Sequence, residues 1–131
     1  MFSNNIFSAI SDVTGMFNES IIECVNEYEG EGLPYLWCSS QLRYAVDKFA
    51  EGDSKLLDNL IILTDSLLNN GDHSVREFGS VRLIEDMQNT NIVSESTQRY
   101  ILGKLTDRCR VAWDDVGKFW NREIPIIPDR G

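Results

Sequence analysis

The chain has 131 residues, 42% of them hydrophobic, and a formal net charge of −9 from 21 acids against 12 Lys and Arg. That is material for a single packed core, and it excludes both a second core and wholesale disorder. The acidity also argues against nucleic-acid and anionic-membrane surfaces, since either partner needs a basic face to neutralise phosphates.

Taken in order, the apolar spacing is helical almost throughout. Ser3 or Asn4 can cap a first helix whose face is Ile6, Phe7, Ile10 and Val13, ending at Gly15. A second opens at Asn18 with Ile21, Ile22, Val25 and Tyr28 on one side, and it places Glu19, Glu23 and Glu27 at i, i+4 and i+8 on the other. The stretch Glu29 to Gly32 breaks it. Pro34 then suits the first turn of a third helix running to about Glu51, with Tyr35, Cys38, Leu42, Ala45, Val46 and Phe49 inward.

Gly52-Asp53 and Gly71-Asp72 repeat one punctuation, a helix-ending Gly followed by an N-capping Asp. The helix between them (Leu56, Leu57, Leu60, Ile61, Ile62, Leu63, Leu67, Leu68) is apolar enough to require cover on more than one side. After Asp72 comes another, with Val75, Phe78, Val81, Leu83, Ile84 and Met87. Gly79 in its middle costs roughly 1 kcal/mol of helix propensity, which implies the close approach of another helix. A last helical region starts near Ser94 and carries an amphipathic stripe of Cys109, Ala112, Trp113, Val116, Phe119 and Trp120. The I-P-I-I-P tail from Ile124 cannot be helical and is expected to run extended over 122–131. No segment alternates with period two for long enough to demand a sheet. The expectation is an all-α single domain over 1–131, a compact bundle of six or seven helices. The helix pair around Gly71-Asp72, with Val75-Arg76 in its second member, has the look of a HEAT-type hairpin, and one visible unit favours a bundle over an array.

Cys24, Cys38 and Cys109 are odd in number, widely spaced and without a C-x-x-C pair, so neither a disulfide framework nor a zinc site is expected. They read as small buried hydrophobes in a reducing cytosol. The first ten residues lack the basic start and apolar run of a signal peptide, and no apolar stretch is long enough to span a bilayer. A soluble cytoplasmic protein is the expectation.

Groups able to do chemistry are few. His73, the single histidine, falls in the first turn of a helix and reads as exposed. Glu85-Asp86 and Asp114-Asp115 are adjacent pairs, and neighbours on a helix point about 100° apart, so neither forms a facing dyad; both read as a solvated rim. There is no phosphate-cradling glycine loop, serine elbow, H-E-x-x-H or calcium loop. No catalytic, cofactor-binding or metal-binding residue emerges, and the expectation is a protein that is not an enzyme and needs no cofactor.

What remains is surface. Residues 1–42 contain Asp12, Glu19, Glu23, Glu27, Glu29 and Glu31 with no Lys or Arg, whereas 76–131 contain nine acids and nine bases. Like charges at i, i+4 cost a helix a few tenths of a kcal/mol per pair, which alternating Lys would remove. One reading is a solvated face whose repulsion is small; the other is a docking face for a basic protein. Tyr35 and Trp37 stand close to that stripe in sequence and read either as aromatic contact anchors or as core residues of the third helix.

The segment Leu33 to Asn89 (L-P-Y-L-W-C-S-S-Q-L-R-Y-A-V-D-K-F-A-E-G-D, then L-L-N-N-G-D-H-S-V-R-E-F-G-S-V-R-L-I-E-D-M-Q-N) resembles small, acidic, all-helical immunity proteins of bacterial polymorphic-toxin systems, including contact-dependent growth inhibition. The resemblance covers somewhat under half of the chain and carries no contact residues across. It implies an inhibitor of the C-terminal toxin domain of its own system, often a nuclease and frequently a ribonuclease, bound one to one by a monomer in the cytoplasm. The toxin-binding residues expected here are Glu19, Glu23, Glu27, Glu29, Glu31, Tyr35 and Trp37. A HEAT-like adaptor unrelated to toxins is the alternative, an enzyme using His73 or the acid pairs a more distant one, and pairing of two copies through the Cys109–Trp120 stripe also stays open.

Overall fold

A computed structural model describes residues 4–28 and 32–120. The expected extended tail at 122–131, together with Glu29 and Glu31, lies outside the described residues. Within them the chain is all-α, and no strand occurs.

Helix α1 (Asn5–Val13) starts where the sequence provides a cap, because Asn4 Oδ1 accepts from the main-chain N–H of Ile6 at 2.8 Å and of Phe7 at 3.3 Å. A 3₁₀ turn (Gly15–Phe17) leads into α2 (Asn18–Glu27), and Pro34 occupies the first turn of α3 (Leu33–Ala50). The two Gly-Asp breaks work differently. Gly52 holds a left-handed φ of 95°, which an L side chain resists, and Asp53 accepts from Lys55 N at 3.1 Å one residue ahead of the formal cap, Ser54. Gly71 has an ordinary backbone and is short of space instead, since a Cβ there would press on Val75 and lie 2.7 Å from the Leu67 carbonyl. Asp72 caps the next helix, accepting from Val75 N at 3.0 Å.

Between these breaks α4 (Lys55–Asn70) is the central helix, packed against α1, α3, α5, α7 and α8. This is the cover its all-round apolarity demanded, and Ile62 alone among its large aliphatics stays mostly exposed, at 57%. The helix after Asp72 is one continuous rod in three segments: α5 (His73–Glu77), a π-helical stretch (Phe78–Ile84) and α6 (Glu85–Met87). The π stretch explains its burial pattern. Phe78 and Leu83 are both buried, as are Gly79 and Ile84, each pair five residues apart, a spacing that an α-helix would rotate out of register. Val81, expected inward, is 50% exposed.

The last region is two helices, not one. Ser94 caps α7 (Glu95–Lys104), and α8 (Asp107–Trp120) begins beyond Thr106, whose N–H and hydroxyl both donate to Asp65 of α4 at 3.3 and 2.9 Å. Tyr100 hydroxyl donates to Asp58 at 2.6 Å and fixes α7 to the same helix. Of the α8 stripe, Cys109 is fully buried and Ala112, Trp113 and Val116 are half-buried against the core. Counting the three-segment rod once, seven helices among the described residues form one bundle around α4, in line with the six or seven expected.

Candidate functional site

The acidic ridge is built from beneath. Phe17, Ile21 and Cys24 form the buried seam of the 3₁₀ turn and α2, and Trp37 of α3 lies at 2% exposure with its ring edge-on to Phe7 and Phe17. Trp37 Nε1 donates to Ser20 Oγ at 2.9 Å, and Ser20 in turn donates to the Phe17 carbonyl at 2.9 Å. With that face pinned, the 100° step of the helix turns Glu19, Glu23 and Glu27 straight outward, and all three are exposed. None of them is in an ion pair among the described residues, and the first base in the chain is Arg43. Glu27 is close enough to Cys24 to act on it: burial first, then the Glu27 charge, pushes that thiol up.

The apolar face of α2 is narrower than its sequence suggests. Ile22, Val25 and Tyr28 are 46, 44 and 49% exposed, because α3 covers only the Ser20–Cys24 side. The ridge therefore carries an open apolar flank. Single exposed aliphatics need no explanation, but two on one short helix, with Tyr28 just beyond its end and an acid row beside them, form a mixed surface of the kind protein interfaces use.

The two aromatic residues expected beside the ridge part company. Residues two apart on a helix point about 200° from each other, so with Trp37 turned into the core under α2, Tyr35 faces the opposite side of α3. Trp37 is thus corrected from contact anchor to core residue. Tyr35 remains 46% exposed and stacks on Phe78, with centroids 5.8 Å apart and planes at 9°. Arg82 Cζ lies 4.6 Å from the Tyr35 centroid.

Behind Arg82 is a group that sequence reasoning missed. Asp86, expected on a solvated rim, is only 6% exposed. Its Oδ1 is 3.7 Å from Arg82 Nη1, while Oδ2 accepts from Ser39 Oγ at 3.0 Å and from Cys38 Sγ at 3.7 Å. Burial, and then the Asp86 charge, raises the Cys38 thiol well above its usual range, so this cysteine is a neutral donor and not a nucleophile. Arg82 and Asp86 stand four residues apart on one side of the rod, and the spacing of Asp86 from Val75 and Gly79, eleven and seven positions, was the available signal.

The remaining candidates do not converge. His73 is exposed and pairs with Glu77 at 3.7 Å on its own helix. Asp114 and Asp115 are both exposed. All three cysteines are buried and free, as expected, and among the described residues no group of His, Cys, Asp or Glu has metal-binding geometry. No helix among them is long and apolar enough to cross a membrane.

Fold and surface together define a small all-α protein with one acid-rimmed face. Residues 4–121 match the family described as a domain of unknown function, DUF7674, and the chain belongs to that family. Comparison with curated proteins and with solved structures gave no match.

Proposed function

We propose that this protein is an immunity protein, a stoichiometric inhibitor that binds the basic nuclease domain of a cognate toxin and protects its own cell from contact-dependent growth inhibition. The observation that carries the reading is the outward row of Glu19, Glu23 and Glu27 on α2, exposed, without a counter-ion among the described residues and flanked by Ile22 and Val25. Carboxylates so placed can meet the Lys and Arg that a nuclease presents to phosphates, and their field raises the rate of encounter. The resemblance of Leu33–Asn89 to acidic helical immunity proteins supports the same direction. No catalytic step is assigned to the protein.

The test uses the toxin domain encoded by the gene immediately upstream. Mixed with that domain, the protein is expected to bind it one to one and to suppress its nuclease activity. Reversing Glu19, Glu23 and Glu27 to Lys should slow association by about tenfold at low salt, with the difference shrinking as ionic strength rises. An unchanged association rate and undiminished protection would remove the ridge from the interface. An upstream gene that encodes no toxin would favour a HEAT-like adaptor.

A further inference from the structure

Arg82 is held by everything except hydrogen bonds. Its guanidinium rests on Tyr35, Tyr35 rests on the buried ring of Phe78, and its ion contact with Asp86 is 3.7 Å long. Among the described residues its side chain has no hydrogen-bond acceptor, and Nε is buried without one. A planar fork pre-oriented on a ring differs from an ordinary surface arginine, whose stem is mobile. The side chain is 32% exposed, so its outer nitrogens face solvent while its orientation is fixed from within. Leu36, 44% exposed, lies about 100° round α3 from both Tyr35 and Trp37, and it carries the surface from the α2 side across to this stack.

We propose that Tyr35 and Arg82 form the energetic centre of the partner interface, with Leu36 beside them. This rests on the reading of the protein as a toxin-binding inhibitor and names what that partner must present. Asp86 already balances the charge of Arg82, and the chain as a whole is acidic, so the acceptor that fits the guanidinium is neutral. It is a main-chain carbonyl of the partner, lying in the guanidinium plane, with an apolar side chain over Tyr35 and Leu36. Tyr and Arg anchors held rigid before binding lose little freedom on association, which is why such pairs dominate interfaces. The field of the α2 carboxylates then governs how fast the partner arrives, and the stack governs how long it stays.

The experiment measures association and dissociation rates separately, with the immobilised upstream toxin domain as the probe. Arg82→Lys keeps the charge and the stem over the ring but removes the fork, and Tyr35→Ala removes the platform. Each is expected to raise the dissociation rate at least about tenfold with association within about twofold, whereas Tyr35→Phe behaves as wild type. Thermal unfolding of each variant checks that the fold is kept, and Arg82→Lys decides if Tyr35→Ala does not fold. Tight wild-type binding with dissociation unaltered in Arg82→Lys would overturn the assignment while leaving the inhibitor reading intact. A dissociation rate that climbs steeply with salt would overturn the neutral acceptor. Failure of the wild type to bind would remove the inhibitor reading and this inference with it.

Discussion

On α2 three carboxylates stand in solvent without a counter-ion among the described residues, whereas on the seam between α3 and α6 a single carboxylate is buried with both oxygens engaged. The two regions flank the same helix, α3, and differ in what holds them together. Beneath the acid ridge the fold relies on rings, with Trp37 wedged between Phe7 and Phe17, and the outward charges contribute nothing to packing. At the seam the charge is part of the packing, because removing Asp86 would strand a thiol, a hydroxyl and a guanidinium at once. Charge turned outward is free to serve a partner; charge turned inward ties the rod to α3.

The strongest way to break this contrast is to attack α2 from below. Trp37→Ala should destabilise the protein by about 3–5 kcal/mol in denaturant unfolding, the range for emptying a buried aromatic site. Trp37→Phe keeps most of the ring and loses the bond to Ser20, at about 1 kcal/mol. Next in size is Asp86→Ala at the seam. It leaves Ser39 and Cys38 without their acceptor and Arg82 without its counter-ion, and about 2 kcal/mol of lost stability is expected, moderated by the partial exposure of Arg82. A loss no larger than that of an exposed-acid substitution would show that the seam is not held by this carboxylate.

The helix pair α4–α5 supplies a comparison of similar scale within the bundle. A methyl group added at Gly71 would meet Val75 and the Leu67 main chain, neither of which can yield cheaply, so Gly71→Ala should cost about 1–3 kcal/mol. At Gly79 the nearest atoms are the side chains of Leu68 and Leu67 at 3.4 and 3.6 Å, which is ordinary contact. The other helix does approach there, as the sequence implied, yet a methyl fits. Gly79→Ala should therefore leave the melting temperature unchanged or raise it, by up to about 1 kcal/mol in stability.

How far each region was legible follows from the same physics. The ridge could be read from three glutamates at i, i+4 and i+8, because a helix face depends only on spacing. Most inward residues of α3 and α4 were legible for the same reason. The helical period put Tyr35 in the inward stripe of α3 and left Trp37 out, and the structure reverses the two, because the side of α3 that meets α2 is set by tertiary packing. Asp86 was hidden by its charge: it falls eleven positions after Val75 and seven after Gly79, a spacing that keeps it on their face of a 3.6-residue helix, but an acid beside Glu85 reads as solvated rim. The break between α7 and α8 was signalled locally by Thr106 before Asp107, but the acceptor that satisfies Thr106 is Asp65, forty-one positions back along the chain and beyond any local pattern.

Acid titration sharpens the contrast from a third position. The Asp72 carboxylate is held below the usual 3.8, first by the Val75 N–H and then by the Ser74 hydroxyl. A lowered folded pKa means that this cap stabilises the native state above 3.8, and that the gain fades as pH falls through the folded value. Asp72→Asn keeps an accepting oxygen but does not titrate, so wild type and variant should differ in the slope of stability against pH below 3.8 and run parallel above it. Parallel curves throughout would mean that the cap charge is screened by solvent.

The smallest expected effect is the most telling about α2. Glu19, Glu23 and Glu27 repel one another along one face, and Glu27 sits in the last turn, where the helix dipole opposes a negative charge. Replacing all three by Gln should raise stability by a few tenths of a kcal/mol per removed pair at low salt. The gain should vanish near 1 M salt, where the screening length falls to about 3 Å. A protein selected for stability alone would have made these exchanges, so a measured gain would mean that the acids are retained against the interest of the fold. A loss of stability would mean instead that the carboxylates support the native state, and the division between outward and inward charge would fail at its simplest point.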